Sequence, residues 1–255
     1  MTSRCHIRQR LIYKERLTMI EKIPLFGSLI SLYYLFWVIG AVVVLIVGCQ
    51  LGKWYGFSVS RTVLYITGTI ALGYLLLWAT SWVFGGGKMN GLNFVRIVTF
   101  LPVAIFLLSQ ILKASFWDVS DMLAPLVAIF HGVTHIGCIF PGCCHGYPSQ
   151  WGLYSNEVRA VCFPSQPLEA LSSILIGVLL IWMMKHSKEK GKLYAWYLTL
   201  FGGTRFLWEF LRDNEKIWHN LSELALHALA AMVLGLIALA VTTWVRKGSS
   251  KHEEI

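Results

Sequence analysis

Charge is scarce in this chain: only 14% of its 255 residues are Asp, Glu, Lys or Arg, and just 13 are acidic. Soluble domains carry about 25% charged residues, so a surface that faces water on all sides is excluded. Proline is limited to seven residues, and no low-complexity tract or internal repeat breaks the chain. No linker is long enough to separate one folded unit from another, so a single domain is expected. Ten-residue segments of alternating hydrophobicity are also missing, and with them the pattern of a membrane β-barrel.

What the chain has instead is hydrocarbon. Hydrophobic residues make up 56% of it and mean hydropathy is +0.61, the composition of an integral membrane protein. A helix needs about 20 apolar residues to cross a bilayer core, and charge-free intervals of that order mark seven spans. They lie between Lys22 and Lys53, Arg61 and Lys88, and Arg96 and Lys113 (extended back over Leu92 to Phe94), then from Val119 to Phe140, Pro164 to Trp182, Leu193 to Leu211 and Leu224 to Val245. The predicted fold is an all-α polytopic membrane bundle of about seven transmembrane helices. Arg205 and Glu209 give the sixth span a pair of opposite charges, while Asp121 stands alone in the fourth and Glu169 in the fifth.

Orientation follows from the basic residues. Residues 1–18 carry Arg4, Arg8, Arg10, Lys14 and Arg16 without a matching apolar pattern, and a second methionine stands at position 19. They are expected to be a basic N-terminal extension or a start-site artefact, leaving 19–255 as a single membrane domain. Without the extension the even-numbered side holds six Lys/Arg and the opposite side ten, which predicts a cytoplasmic C-terminus and an extracytoplasmic loop after the fourth span. The net charge of +9 lies on loops and tails, where it suits anionic headgroups. No basic stripe with interleaved aromatics lies in a soluble segment, so no nucleic-acid partner is expected.

Three constellations could carry chemistry. The stretch His131 to Gly146 holds His131, His135, Cys138, Cys143, Cys144 and His145 at the end of a span, with Cys162 further on. Reactive side chains are costly beside hydrocarbon and mark working sites. No metal or other cofactor is expected, because adjacent Cys143 and Cys144 do not readily face one ion and no paired knuckles are present. A disulfide to Cys162 and simple packing of thiols and histidines stay open. The second constellation is Arg205 and Glu209, four apart on one helix face, where a guanidinium suits a phosphate oxygen. The third, Pro164-Ser165-Gln166-Pro167-Leu168-Glu169, offers a helix start with Gln166 and Glu169 able to bond inward.

Taken in order, Ser115 to Pro125, the glycine-rich run from His135 to Gly146, Pro164-Ser165-Gln166 with Glu169, and Arg205 to Asp213 resemble the prolipoprotein diacylglyceryl transferase family over roughly residues 113–213. The resemblance implies a seven-helix enzyme of the bacterial cytoplasmic (inner) membrane. Such an enzyme moves a diacylglyceryl group from phosphatidylglycerol to the lipobox cysteine thiol of preprolipoprotein signal peptides and releases glycerol phosphate. Its implied partners are therefore phosphatidylglycerol, those signal peptides and membrane lipid.

By the same resemblance His135, His131, Arg205 and Glu209 are the candidate catalytic residues. Gln166, Glu169, Arg212, Asp121, Gly137, Cys138 and Gly142 are the candidate substrate-binding residues. A base is needed near the attacking thiol and positive charge near the departing phosphate; His135 or His131 would supply the first, since an imidazole titrates near neutral pH, and Arg205 the second, with Arg212 nearer the headgroups. Where the family usually reads Gly-Arg-x-Gly-Asn this chain has Thr134-His135-Ile136-Gly137-Cys138. An acidic position further on is Cys143, and a histidine before Pro-Ser-Gln is Phe163. The family's His-Gly-Gly motif falls near Gly85 to Asn93, which holds Lys88, Met89 and Asn90 but no histidine. Two other readings stay open: a divergent member that uses its own cysteines for another lipid or thiol transfer, and a non-catalytic lipid- or metal-binding membrane protein.

Overall fold

The computed structural model describes residues 22–25, 28–84, 94–186, 190–219 and 221–252. The basic extension 1–18 and the stretch from Gly85 to Asn93 lie outside the described residues. Two short strands, β1 (Lys22–Leu25) and β2 (Ser28–Ser31), precede helices α1 (Leu32–Trp54), α2 (Val59–Phe84), α3 (Phe94–Ile111) and α4 (Phe116–Cys138). Strands β3 (Pro148–Ser155) and β4 (Ala160–Cys162) follow, then α5 (Ser165–His186), α6 (Leu193–Glu209) and α7 (Glu223–His252). Six of these helices are long and apolar enough to cross a membrane, so the chain is an all-α, multi-pass membrane bundle. The other is α6, with 17 residues.

The first span begins later than its apolar run. Strands β1 and β2 pair antiparallel, Lys22 opposite Ser31, and the helix starts only at Leu32. Pro24 and Gly27 fall inside this stretch of sequence; proline offers no amide to a helix and glycine is a poor helix former. The β3–β4 pair sits in the loop between α4 and α5, with its register shifted between Pro148 and Leu153.

Helix α4 is the axis of the bundle. It packs on α1, α3, α5 and α6, while α6 packs on α7. In its apolar window 72% of residues are buried, against 17% to 39% in the other five spans. Those five present side chains such as Val38, Ile46, Leu175 and Trp244 to the outside, where lipid replaces water as the contact. Asp121, His131 and His135 of α4 are all buried, as expected when the polar groups of a span must find protein partners.

The approach of α5 to α4 depends on two glycines. A Cβ on Gly132 would stand 2.8 Å from the Ala170 carbonyl oxygen, and one on Gly177 would stand 2.6 Å from the Ile129 side chain. Small residues at such crossings let backbones meet in lipid, where close packing replaces the hydrophobic effect as the driving force. That closeness lets His131 and His135 of α4 reach the side chains of α5.

Candidate active site

Glu169, on the first turns of α5, is 1% exposed and gathers three basic side chains. Arg212 donates from Nη1 to its Oε1 at 2.9 Å. Arg205 Nε stands 3.7 Å from Oε2, and His135 Nε2 approaches the same oxygen at 3.6 Å. Arg205 also donates from Nη1 to Glu209 Oε2 at 2.5 Å, the i,i+4 pair expected on α6. Glu209 Oε1 accepts from Asn214 Nδ2 at 2.6 Å and from the Ser222 hydroxyl. Two guanidinium groups thus balance two carboxylates in the bundle interior. Removing one member of such a buried set strands its partner at a cost of about 3–5 kcal/mol.

The histidines form a second layer against this cluster. His131 and His135 are one turn apart on α4 with ring centroids 4.2 Å apart. His131 Nδ1 is 2.8 Å from Ser173 Oγ of α5, and its ring lies between Phe94 and Phe201. His131 Nε2, His135 Nδ1, Gln166 Oε1 and Glu169 Oε2 are buried polar atoms without a hydrogen-bond partner among the described residues. Buried polar groups are normally bonded, so this group of atoms has capacity to receive a polar ligand.

The loop after α4 is fastened over the cluster from three sides. Gln166 Nε2 donates to the Cys143 carbonyl at 2.9 Å, and Ser165 Oγ to the Cys144 carbonyl at 2.7 Å. Gly146 pairs with Arg212 as an isolated antiparallel bridge, and its amide donates to the Phe163 carbonyl at 3.1 Å. Gly142 turns the chain at φ +76°, and a Cβ there would lie 2.6 Å from the Asn156 nitrogen.

The turn brings the cysteines together. The sulfurs of Cys138, Cys143 and Cys144 lie within 4.8 Å of one another, because Cys144 adopts φ +60° and folds back. The expectation that neighbouring Cys143 and Cys144 diverge is therefore corrected: it assumed an extended loop, in which successive side chains alternate. All described cysteines, Cys162 included, are free thiols, so the disulfide that the sequence left open is not formed. The Cys144 thiol is held well below its ordinary range by hydrogen bonds from Cys138 and Cys143, and then by the Arg212 charge. Burial alone would lower the Arg212 pKa, but Glu169 and Cys144 raise it.

Of the candidates named from sequence, His131, His135, Gln166, Glu169, Arg205, Glu209 and Arg212 thus converge, with Cys138 and Gly142 at the rim. Gly137 is instead a packing contact, its Cβ position 3.1 Å from the Tyr33 carbonyl oxygen of α1. Asp121 lies elsewhere. Fourteen residues before His135 on one helix, it is displaced by about 21 Å along the axis. There its carboxylate accepts the amides of Gly191 and, at 2.9 Å, Leu193 at the start of α6. Sequence reasoning missed Ser173, Asn214 and Ser222; small polar residues in or beside apolar helices carry no spacing signal that would have marked them.

Comparison with known proteins places this arrangement. The family model described as prolipoprotein diacylglyceryl transferase matches residues 23–244. Phosphatidylglycerol–prolipoprotein diacylglyceryl transferase 2 of Clostridium perfringens (strain 13 / Type A) is 31% identical over 106 residues, 39% of this chain and 41% of that protein. The phosphatidylglycerol–prolipoprotein diacylglyceryl transferase of Clostridium tetani (strain Massachusetts / E88) is 28% identical over 114 residues, 41% and 46% of the two chains. That of Actinobacillus pleuropneumoniae serotype 3 (strain JL03) is 26% identical over 171 residues, 62% of each. The chain spans less than half the length of the first two relatives and about three fifths of the third.

Proposed function

This chain belongs to the prolipoprotein diacylglyceryl transferase family, and we propose that it transfers a diacylglyceryl group from phosphatidylglycerol to the lipobox cysteine thiol of preprolipoproteins at the outer face of the bacterial cytoplasmic membrane. The observation that carries this reading is the convergence of Arg205, Arg212 and His135 on buried Glu169. The departing glycerol phosphate needs positive charge held where water is scarce, and ionisable groups buried inside a membrane bundle point by default to function.

In this reaction the acceptor thiol attacks the glyceryl carbon bonded to the phosphate oxygen. A carbon–sulfur bond forms, the carbon–oxygen bond breaks, and glycerol phosphate leaves with the bonding pair. His135 takes the thiol proton, its ring held by contact with His131, which is itself bonded to Ser173. Arg205 holds the phosphate oxygens and Arg212 the headgroup side. Glu169 and Glu209 keep both guanidinium groups in place before the lipid arrives, so that little reorganisation is left for the reaction itself. Gln166 and the Gly142 turn hold the loop that closes the site, with Cys138 at its edge.

The test is incubation of the purified protein with labelled phosphatidylglycerol and a synthetic lipobox peptide, read by mass spectrometry for a diacylglyceryl thioether. Product from the wild type and its loss in Arg205→Ala support the reading. Absence of product from protein that binds the lipid overturns it. Cys143→Ser and Cys144→Ser separate it from transfer through the chain's own thiol, because here the acceptor sulfur belongs to the substrate.

A further inference from the structure

Three thiols and two histidines lie close together in this bundle, and two trios of metal-donor atoms can be drawn among them. In the first, His131, His135 and Glu169 offer atoms within 4.8 Å of one another. Arg205 and Arg212 already neutralise Glu169 there, and two guanidinium charges repel a cation. The second, Cys138, Cys143 and Cys144, contains no carboxylate engaged in this way.

Its geometry is close to that of an occupied site. Zinc–thiolate bonds are about 2.3 Å, which puts sulfurs around one ion about 3.8 Å apart, so separations of up to 4.8 Å close with shifts of about 1 Å. The backbone makes this possible. Cys138 ends α4, the Gly142 amide returns to the Cys138 carbonyl at 3.2 Å, and Cys143 Sγ approaches the same carbonyl at 3.8 Å. Cys144 then occupies the left-handed region at φ +60°, a conformation that glycine or asparagine would take with less strain. The carbonyls of Cys143 and Cys144 are fixed by Gln166 and Ser165, so contacts within the protein hold the trio's backbone in place.

Charge points to a divalent ion. Three thiolates around M²⁺ leave one net negative charge, held close to the Arg212 guanidinium that Glu169 already pairs. We propose that Cys138, Cys143 and Cys144 form a binding site for a thiophilic divalent cation of the zinc type, seated between the end of α4 and the Arg212 side of the bundle. Three metal–sulfur bonds form, the thiol protons pass to solvent, and no oxidant or reductant is required. Three sulfurs fill three of the four positions zinc prefers, and water or an outside donor takes the fourth. The site borders the proposed transfer site at Cys138 and Arg212, but its argument does not depend on the transfer reading.

The test uses the full-length protein in detergent, reduced and stripped by chelator, then titrated with Cd²⁺ and, separately, Zn²⁺. A sulfur-to-cadmium charge-transfer band that saturates at one equivalent per chain is expected. It persists in Cys162→Ser, whose thiol lies outside the trio, and disappears in the Cys143→Ser, Cys144→Ser double variant. Should that variant fold poorly, the wild type still decides the matter. Zn²⁺ then protects Cys138, Cys143 and Cys144 from maleimide, mapped by mass spectrometry, by about tenfold or more, and a chelator restores their labelling. No band at one equivalent, or labelling of the three thiols that is indifferent to Zn²⁺, overturns the proposal.

Discussion

Arg212 reaches across 43 residues of sequence to donate to Glu169 at 2.9 Å, tying the chain just after α6 to the first turns of α5. That one contact fixes the mouth of the site. The backbone bridge between Arg212 and Gly146 fastens the cysteine loop to the same point.

Glu169→Gln leaves Arg205 and Arg212 buried without their shared carboxylate. It is expected to lower stability by about 3–5 kcal/mol and to abolish detectable thioether formation. Thermal unfolding in detergent and the peptide assay check the two effects separately.

Arg205→Lys keeps a charge but loses the planar fork that meets a carboxylate and a phosphate together. Transfer is expected to fall by about 10²–10³, the loss typical of one missing donor at a developing charge, with the larger share in kcat. A variant that kept wild-type kcat would rule out Arg205 as the phosphate ligand.

His135→Arg restores the residue usual in the family pattern, and its guanidinium would stand near Glu169. Two functions are thereby separated. If His135 works as the base, the change lowers kcat by about 10² or more; if it works only as a positive group, activity is kept or rises. We expect the fall, measured as initial rate of thioether formation.

Asp121 holds the start of α6 rather than the site. Asp121→Asn is expected to cost about 1.5–3 kcal/mol, the range for hydrogen bonds to a charged group, seen as a lower melting temperature. The KM for phosphatidylglycerol should move by no more than about twofold, the pattern of lost scaffold rather than lost binding.

Gly132→Leu pushes a side chain into the Ala170 carbonyl and the Ile174 backbone. Overpacking of this kind costs about 1–3 kcal/mol or more, and displacing α5 also carries Glu169 away from His135. Lower thermal stability together with reduced transfer would mark the α4–α5 crossing as the frame of the site.

Much of this arrangement was legible in the sequence. Apolar intervals marked the spans, and the Arg205–Glu209 spacing foretold a contact now seen at 2.5 Å. Helical periodicity is local, so it reads pairs such as these well. It does not report which helices become neighbours, and so the meeting of Glu169 with Arg212 and His135 was not deducible from spacing alone. The strand pair before α1 was hidden inside an apolar run, because hydropathy does not register that proline, as at Pro24, has no amide to give a helix. The cysteine trio was misjudged for the same reason: adjacency in sequence says that two side chains diverge only if the backbone between them is extended. Asp121, grouped with the site by motif, was separated from it by helix length.

The 17 residues of α6 rise about 25 Å, less than the roughly 30 Å of a typical hydrocarbon core. Leu207 and, just past its end, Phe210 are exposed on the outer face, and a bilayer beside so short a helix is expected to thin. Headgroups next to α6 would then sit deeper, letting a phosphate approach the level of Arg205 while its acyl chains stay in the membrane.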